Sequence, residues 1–419
     1  MSPEQIAALG SALASFLQAF ACCFGRQPTF KHLLTYCRGL LSDLPRKSIE
    51  PIALAGDTSV RTLQEFLSQH AWQENRLRDL IQRRIIARHI PAPGHPLAAN
   101  DPGVIGILDE TAHPKKGDKT PGVQQQYCGH TGKLDNCLVT VHLALAYGAF
   151  QTLLDRDLFL PQAWADDGER RKEAKIPADL KHRPKWEIGL AQIRHARANG
   201  VRLDWLTFDA DYGKAPAFLE ELDTLGQLYV GEVPAIFRAW VRPPRYRSLR
   251  AEYTARQARH LVRWSEPFVY QDWQAMQMAR QTLPAQEWEI KTHQVYLPTL
   301  RDRRVAKDRT YWLIHAWNRQ TREHKYFLSN APPTTALALL LQVAFSRARI
   351  EHCLRVAKTE LGMSHFEGRT YPGLIRHLTL VLLAMLFVAE HTTRLRGEKS
   401  ASDHGAGLPG PELHLQPVA

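Results

Sequence analysis

Two short apolar runs that each end at an aspartate constrain the fold of this 419-residue chain most strongly. Residues 104–108 end at Asp109, and residues 203–208 end at Asp209. Both runs have the composition of short buried strands. The same region contains further strand-like stretches and two helical patterns, which are 136–147, 150–160, 185–199, 215–225 and 228–233. Strands that alternate with helices predict a mixed α/β core.

The two aspartates occupy the place where α/β sheets collect ligands and chemistry, beyond the carboxyl ends of the strands. A single aspartate there is more often a turn former or a helix cap. Two of them in one basic chain favour a functional role. Glu110 follows Asp109 directly, and alternation along a strand directs it to the opposite face. Asp211 competes with Asp209 for the second position.

A third acid, Glu351, lies in a helical pattern at residues 346–358. At 100° per residue, this glutamate shares an arc of about 80° with three cations, Arg347, Arg355 and Lys358. A neighbouring apolar stripe is suited to burial against the core, and it comprises Ile350, Leu354, Ala357 and Leu361. The pattern predicts a helix that holds Glu351 at the edge of the core. The alternative is that the same spacing reflects ion pairs at i,i+4 between Glu351 and Arg347 or Arg355 on an exposed helix face.

Three acids on separate elements suit metal-dependent chemistry at a phosphodiester. Such chemistry uses two divalent ions about 3.5–4 Å apart, and Mg²⁺ prefers carboxylate oxygens. The candidate catalytic residues and metal ligands are therefore Asp109, Asp209 and Glu351. No metal role is assigned to the nearby histidines, among which His142 is expected to be a packed strand residue; they are His113, His130 and His142.

The charge of the chain indicates a polyanionic partner. Lys and Arg number 54 against 42 Asp and Glu, which gives a net charge of +12 and a pI near 9.5. Nucleic acid is the first candidate, an anionic membrane surface is a weaker one, and a basic protein without such a partner is the third. Five arginines in the helical pattern at 58–90 indicate either a solvated face or a phosphate-contacting surface, and they are Arg76, Arg78, Arg83, Arg84 and Arg88.

Composition divides the chain into five segments. We expect a helical, DNA-binding N-terminal domain at 1–97, the first part of the catalytic core at 98–234, a β-rich insertion at 235–330, the C-terminal helices of the core at 331–394, and a disordered tail at 395–419. Core packing is favoured over base stacking for four of the tryptophans in the insertion, which are Trp240, Trp264, Trp273 and Trp288.

The six cysteines lack a C-x-x-C pair, so neither a structural zinc site nor a disulfide framework is expected, and a reducing cytoplasm fits. The N-terminus shows no signal-peptide pattern. The longest apolar run, at 378–389, is shorter than the roughly 20 residues of a membrane span. We expect it to form a buried core helix.

Several short motifs follow one another along the chain. It reads Asp-Glu-Thr from Asp109, followed by Lys-Lys-Gly from Lys115. It then shows Gly-Val-x-x-Gln-Tyr-x-Gly with a later Asn-Cys, and Asp-x-x-Tyr-Gly from Asp209. Arg347, Glu351 and Lys358 follow in one helical pattern. Together these motifs resemble those of the DDE-type transposases of bacterial insertion sequences, which share the RNase H-like fold of the retroviral integrases. Ala344 stands where the Arg-Glu-Lys signature of that family usually has tyrosine. The resemblance spans about residues 45–390 and favours Asp209 over Asp211.

The resemblance implies an RNase H-like catalytic core with a β-rich insertion, and cut-and-paste DNA transposition as the activity. It implies that Asp109, Asp209 and Glu351 hold two Mg²⁺ ions, for which Mn²⁺ can substitute. It further implies contacts to DNA from a set of side chains near the metals: Arg347, Lys358, Arg355, Lys115, Lys116 and Tyr212. The implied partners are double-stranded DNA, at the terminal inverted repeats and at the target, and a second copy of the chain in the DNA complex.

Two other functions remain open at this point. The first is a domesticated or inactive DNA-binding protein that keeps the fold without the chemistry. The second is a metal-dependent endonuclease that cuts but does not join. A two-carboxylate hydrolase of neutral sugars is disfavoured by the basic charge.

Overall fold

The computed structural model describes residues 3–92, 94–95, 98, 101–129, 131–244, 255–280, 283–303, 305–402 and 413–416. The N-terminal part is helical, as the sequence predicts, and its helices are α1 (Pro3–Gln18), α2 (Gln27–Leu41), α3 (Ile49–Ala55), α4 (Val60–Ser68) and α5 (Glu74–His89). Aromatic side chains fill the space between them: Phe66 stacks on Trp72 with ring centroids 5.5 Å apart. Phe16 meets Phe387 of the last helix at 5.3 Å, so these helices share one core with the rest of the protein.

A five-stranded mixed sheet forms the centre of the fold, with strands β1 (Ile105–Pro114), β2 (Gln124–Cys128), β3 (Lys133–Tyr147), β4 (Phe150–Phe159) and β5 (Trp205–Phe208). β3 lies antiparallel between β4 and β1, and β2 pairs with the start of β3. β5 runs parallel to β1, with Leu108 opposite Phe208. This mixed sheet with its helices confirms the predicted RNase H-like α/β fold.

Helices cover both faces of this sheet. They are α6 (Gln162–Asp166), α7 (Gly168–Glu173), α8 (Lys185–Ala198), α9 (Ala210–Gly213), α10 (Pro216–Thr224), α13 (Leu337–Phe345), α14 (Ala348–Thr359) and α15 (Tyr371–Ser402). α8 approaches β1 so closely that a Cβ at Gly189 would lie 2.4 Å from a Leu108 methyl carbon. Alternation along β1 therefore directs Leu108 and Glu110 toward α8, and Asp109 toward α14.

The insertion contributes four strands to a second, antiparallel sheet, and they are β9 (Gln274–Arg280), β10 (Leu283–Pro298), β11 (Ala306–Asn318) and β12 (Glu323–Ser329). It also contains a separate two-stranded ribbon, β7 (Arg238–Ala239) and β8 (Arg256–Gln257), and two short helices, α11 (Ala258–Trp264) and α12 (Glu266–Val269). β12 pairs with β6 (Val230–Val233), which precedes the insertion. β6 also reaches β5 through a parallel bridge between Leu206 and Tyr229. The two sheets are therefore connected through β6.

The C-terminal part differs from the predicted disordered tail where the structure describes it. α15 continues through residues 395–402, and a strand β13 (Leu413–Gln416) pairs with β9. The remaining tail residues, 403–412 and 417–419, lie outside the described residues.

α15 contains the long apolar run. The stretch Tyr371–Thr392 is long and apolar enough to cross a membrane by length and composition, but 78% of its most apolar window is buried inside the protein. It packs against β4 and against α4 and α5. This matches the expected core helix.

Candidate active site

Asp109 and Asp209 lie side by side because their strands are parallel neighbours. Leu108 and Phe208 are register partners in β1 and β5, and each aspartate is the next residue. β5 ends at Phe208, and the Asp209 side chain caps the short helix α9 by accepting a hydrogen bond from the Asp211 amide at 2.9 Å. The sheet register therefore places two carboxylates at one edge of the sheet.

The electrostatics of the two aspartates show an excess of negative charge. Burial raises the pKa of Asp109 to about 7, with a further upward contribution from Asp209 that opposes the downward effect of Arg347. Burial also raises the pKa of Asp209 to about 6, assisted by the nearby charges of Glu110 and Asp211. The two neighbouring carboxylates are therefore stabilised either by taking up protons or by binding a cation.

Arg347 joins Asp109 to Glu351. Its Nη1 lies 3.0 Å from Asp109 Oδ2, and its Nη2 lies 2.6 Å from Glu351 Oε1. Arg347 is the N-cap residue of α14, so the helix start and β1 are tied by this side chain. The Glu351 side chain is 55% exposed, against 13% for Asp109. The third acid thus lies at the rim of the same site, engaged with Arg347.

The competing acids have different surroundings. The Asp211 side chain is exposed and forms an ion pair with Lys214 at 2.5 Å. Glu110 points to the α8 side, where its carboxylate pairs with Lys185. Lys185 is a part of the site that sequence reasoning missed, since it lies 75 residues from its partner with no local signal.

Three predicted DNA contacts are accessible to solvent to different degrees. Lys358 of α14 is half-buried and donates to Thr111 Oγ1 of β1 at 2.9 Å. Arg355 is exposed and lies 2.9 Å from the His352 ring. Lys116 is exposed in the loop after β1. Lys358 and Arg355 therefore lie on α14, the helix that also carries Glu351.

Two other predicted DNA contacts are internal instead. Lys115 Nζ donates to the carbonyl oxygens of Ser364 at 2.9 Å and Phe366 at 2.5 Å, so it holds the turn after α14. Tyr212 is only 1% exposed, and burial together with the charges of Glu110 and Asp109 holds the pKa of its hydroxyl well above the usual value. Lys115 is therefore engaged with the turn after α14, and Tyr212 is enclosed by the protein.

The arginine pattern of α5 is divided in the same way. Arg78 makes a bidentate pair with the buried Asp155 at 2.5 and 2.6 Å, and Arg84 makes one with Glu390 at 2.7 Å. These two arginines anchor α5 to β4 and α15, so they differ from both alternatives for the pattern, a solvated face and a phosphate-contacting surface. The exposed members of the pattern are Arg76, Arg83 and Arg88.

The histidines and tryptophans also have defined places. His142 is fully buried and shares the Thr140 hydroxyl with His113, at 2.7 and 2.8 Å, so both are packed residues as expected for His142. His130 lies outside the described residues. Trp240 and Trp288 are buried in the insertion, Trp273 is half-buried, and Trp264 is exposed.

The donor set suits a hard divalent cation. Carboxylate oxygens are the ligands that Mg²⁺ prefers, and the mutual repulsion of Asp109 and Asp209 is the charge that such an ion would neutralise. In the described part of the chain, no three His, Cys, Asp or Glu side chains are arranged as a metal-binding cluster. At this site the Glu351 carboxylate is engaged with Arg347.

Comparison with known protein families shows which family the chain belongs to. A family model described as DDE superfamily endonuclease matches residues 19–295. The chain belongs to the DDE superfamily of endonucleases. The match includes both aspartates of the site, and it ends before Glu351. Membership in this superfamily of endonucleases implies nuclease-type catalysis on a nucleic acid, with a general dependence on a divalent metal.

A curated relative covers most of the chain. Our chain is 27% identical over 349 residues to the probable transposase for insertion sequence element IS701 from Microchaete diplosiphon. The alignment covers 82% of this chain and 78% of the relative.

Proposed function

We propose that this chain is a DNA transposase that cuts double-stranded DNA at the ends of an insertion sequence and joins the freed ends to target DNA. The observation that carries the proposal is the placement of Asp109 and Asp209 on neighbouring parallel strands, with Arg347 linking Asp109 to Glu351. Three carboxylates from three separate elements thereby share one edge of the catalytic sheet.

Asp109, Asp209 and Glu351 would hold two Mg²⁺ ions, or Mn²⁺ in their place. Such ions neutralise the phosphate and activate the attacking oxygen, which is water during cleavage and a 3′-hydroxyl during joining. Arg347, Lys358 and Arg355 lie along the same helix and are placed to bind phosphates of the DNA strand. Lys116 provides a further exposed cation beside β1.

Paired inverted ends require two active sites, so we propose a homodimer in the DNA complex and a cytoplasmic location on the nucleoid. The net charge of +12 supports binding to DNA.

A cleavage and excision assay tests this function. The substrate is a plasmid carrying the DNA that natively borders the gene, incubated in Mg²⁺ or in EDTA with wild type or Glu351→Gln. We expect metal-dependent cuts at two inverted ends, with joining to a labelled target, and loss of both in the variant. Cuts without joining would indicate an endonuclease that lacks strand transfer. Binding without cuts by either protein would indicate a DNA-binding protein without the chemistry.

A further inference from the structure

The insertion presents an outward face on α11 that the site described above does not use. α11 buries Ala258 and Leu261 and exposes Arg259, Arg263 and Trp264. At 100° per residue, the three exposed positions fall within about 140° of arc. The Arg263 guanidinium lies over the Trp264 ring, 4.8 Å from its centroid. The helix therefore presents cationic and aromatic groups together.

Large apolar side chains are exposed beside these arginines. Trp264 is 64% exposed and Tyr270, just after α12, is 83% exposed. Ile236 and Val269 are also exposed in the same part of the insertion. A group of exposed apolar residues on a folded protein marks an interaction site more often than chance exposure does.

The charge of this region determines what kind of partner it fits. Residues 235–244 and 255–272 contain five arginines, against two acids, Glu266 and Asp272. Arg242 is offset by its ion pair with Glu266 at 3.2 Å. Arg238 and Arg256 lie on the β7–β8 ribbon that directly precedes α11. A second copy of this chain would bring the same positive charge to the contact, whereas a polyanion complements it.

The surface is held in place by backbone contacts. The Ala258 amide donates to the Phe237 carbonyl at 2.7 Å, and the Arg259 amide donates to the Ala235 carbonyl at 3.0 Å. Under α12, the buried Lys291 amine donates to the Phe268 carbonyl at 2.7 Å. Because the supporting backbone is already ordered, binding loses little conformational entropy there.

We propose that this α11 surface, formed by Arg238, Arg256, Arg259, Arg263, Trp264 and Tyr270, is a second docking surface for double-stranded DNA. The arginines bind backbone phosphates, and the two aromatic side chains pack against the sugars between them. The surface lies on elements other than those that carry the three acids, so it positions DNA without taking part in cleavage. The inference rests on the proposed function, because it takes DNA as the substrate.

The test measures DNA binding by the full chain. The binding is monitored by the fluorescence anisotropy of a labelled duplex of about 40 base pairs, at several salt concentrations in EDTA. The duplex length of about 40 pairs spans more than one protein footprint. The variant is Arg259→Gln with Arg263→Gln. The matched control is Arg301→Gln with Arg303→Gln, which removes the same charge from exposed positions on the β10–β11 turn of the same insertion.

We expect the α11 variant to bind about tenfold more weakly near 0.1 M salt, and to reduce the slope of log K against log salt by about 1.8, for two lost phosphate contacts. Trp264→Ala should weaken binding by at least about fivefold with an unchanged slope, since it removes packing and no charge. The control should stay within about twofold of wild type. Circular dichroism verifies that every variant is folded.

Equal losses in the variant and the control, or unchanged affinity and slope in the variant, would overturn the inference while leaving the proposed function intact. A wild-type chain that binds duplex but does not cut its native ends would count against the proposed function alone, and a weakened α11 variant of that chain would still support the surface. A wild-type chain that binds no duplex would overturn both.

Discussion

The two aspartates and Glu351 serve one site, but the protein holds them in different ways. Asp109 and Asp209 are placed by main-chain hydrogen bonds of neighbouring strands, and both are largely buried. Glu351 is placed by a helix and by one side chain, Arg347, and it is more than half exposed. The buried half of the site is therefore set by the sheet, whereas the exposed half depends on ion pairs that substrate or solvent can replace.

The largest expected effect tests whether the two halves are equally necessary. Asp109→Asn, Asp209→Asn and Glu351→Gln should each slow metal-dependent cleavage by about a thousandfold or more, because under the proposed function each removes a carboxylate that would hold the metal ions. Cleavage rates of the native-end plasmid measure this. Asp211→Asn is the matched control, since this nearby acid pairs with Lys214 in solvent. Normal cleavage by any one of the three variants would remove that residue from the site.

The link between the halves is the next target. Arg347→Ala should lower the free energy of unfolding by about 1–3 kcal/mol at pH 8, because it leaves the buried Asp109 carboxylate without its cation. The loss should shrink at pH 6, because Arg347 lowers the pKa of Asp109 and its removal lets this carboxyl take up a proton. Urea unfolding in EDTA at both pH values measures it. Equal losses at pH 6 and pH 8 would contradict this account.

The two buried aspartates should also give stability a pH dependence. The pKa values of Asp109 and Asp209, about 7 and about 6, lie above the ordinary value of 3.8. The folded protein therefore binds more protons than the unfolded chain between about pH 4 and pH 7, so these groups reduce stability as pH rises through that window.

Melting temperatures in EDTA measure this dependence. We expect the melting temperature of wild type to fall by a few degrees relative to the double variant Asp109→Asn with Asp209→Asn as pH rises from 5 to 8. Added Mg²⁺ should restore wild type at pH 8, because metal binding requires deprotonated carboxylates. Parallel curves for wild type and the double variant would show that the aspartates do not titrate in this range.

The smallest expected effect concerns the outermost cation of α14. Arg355→Gln should change the free energy of unfolding by less than about 0.5 kcal/mol, because the side chain is exposed. It should reduce the salt slope of DNA binding by about 0.9, for one lost phosphate contact. Anisotropy titrations provide this value. An unchanged slope would place Arg355 outside the DNA path.

Local pattern was sufficient to predict the strands that carry Asp109 and Asp209, since an apolar run that ends at an acid needs no knowledge of distant residues. It also predicted the helix of Glu351 from the spacing of Arg347 and Ile350. The role of Lys115 was not predictable in the same way, because its partners are carbonyl oxygens about 250 residues away.

Partners that are distant in sequence also explain why the roles of the α5 arginines could not be predicted. Sequence periodicity shows that Arg78 and Arg84 share a basic stretch, but their partners Asp155 and Glu390 come from other parts of the chain. A cation that pairs within the fold has the same local pattern as one that faces DNA. Tertiary pairing alone separates the two, and it divides this stretch between anchors and exposed residues.

The position of β6 between β5 and β12 limits how the insertion can be removed. It pairs with β12 along one edge and touches β5 along the other. A chain shortened by rejoining residue 234 to residue 331 would leave the β12 side of β6 as an open edge, and open edges promote aggregation. The insertion is therefore not a detachable accessory, and shorter relatives of this design would need another way to close that edge.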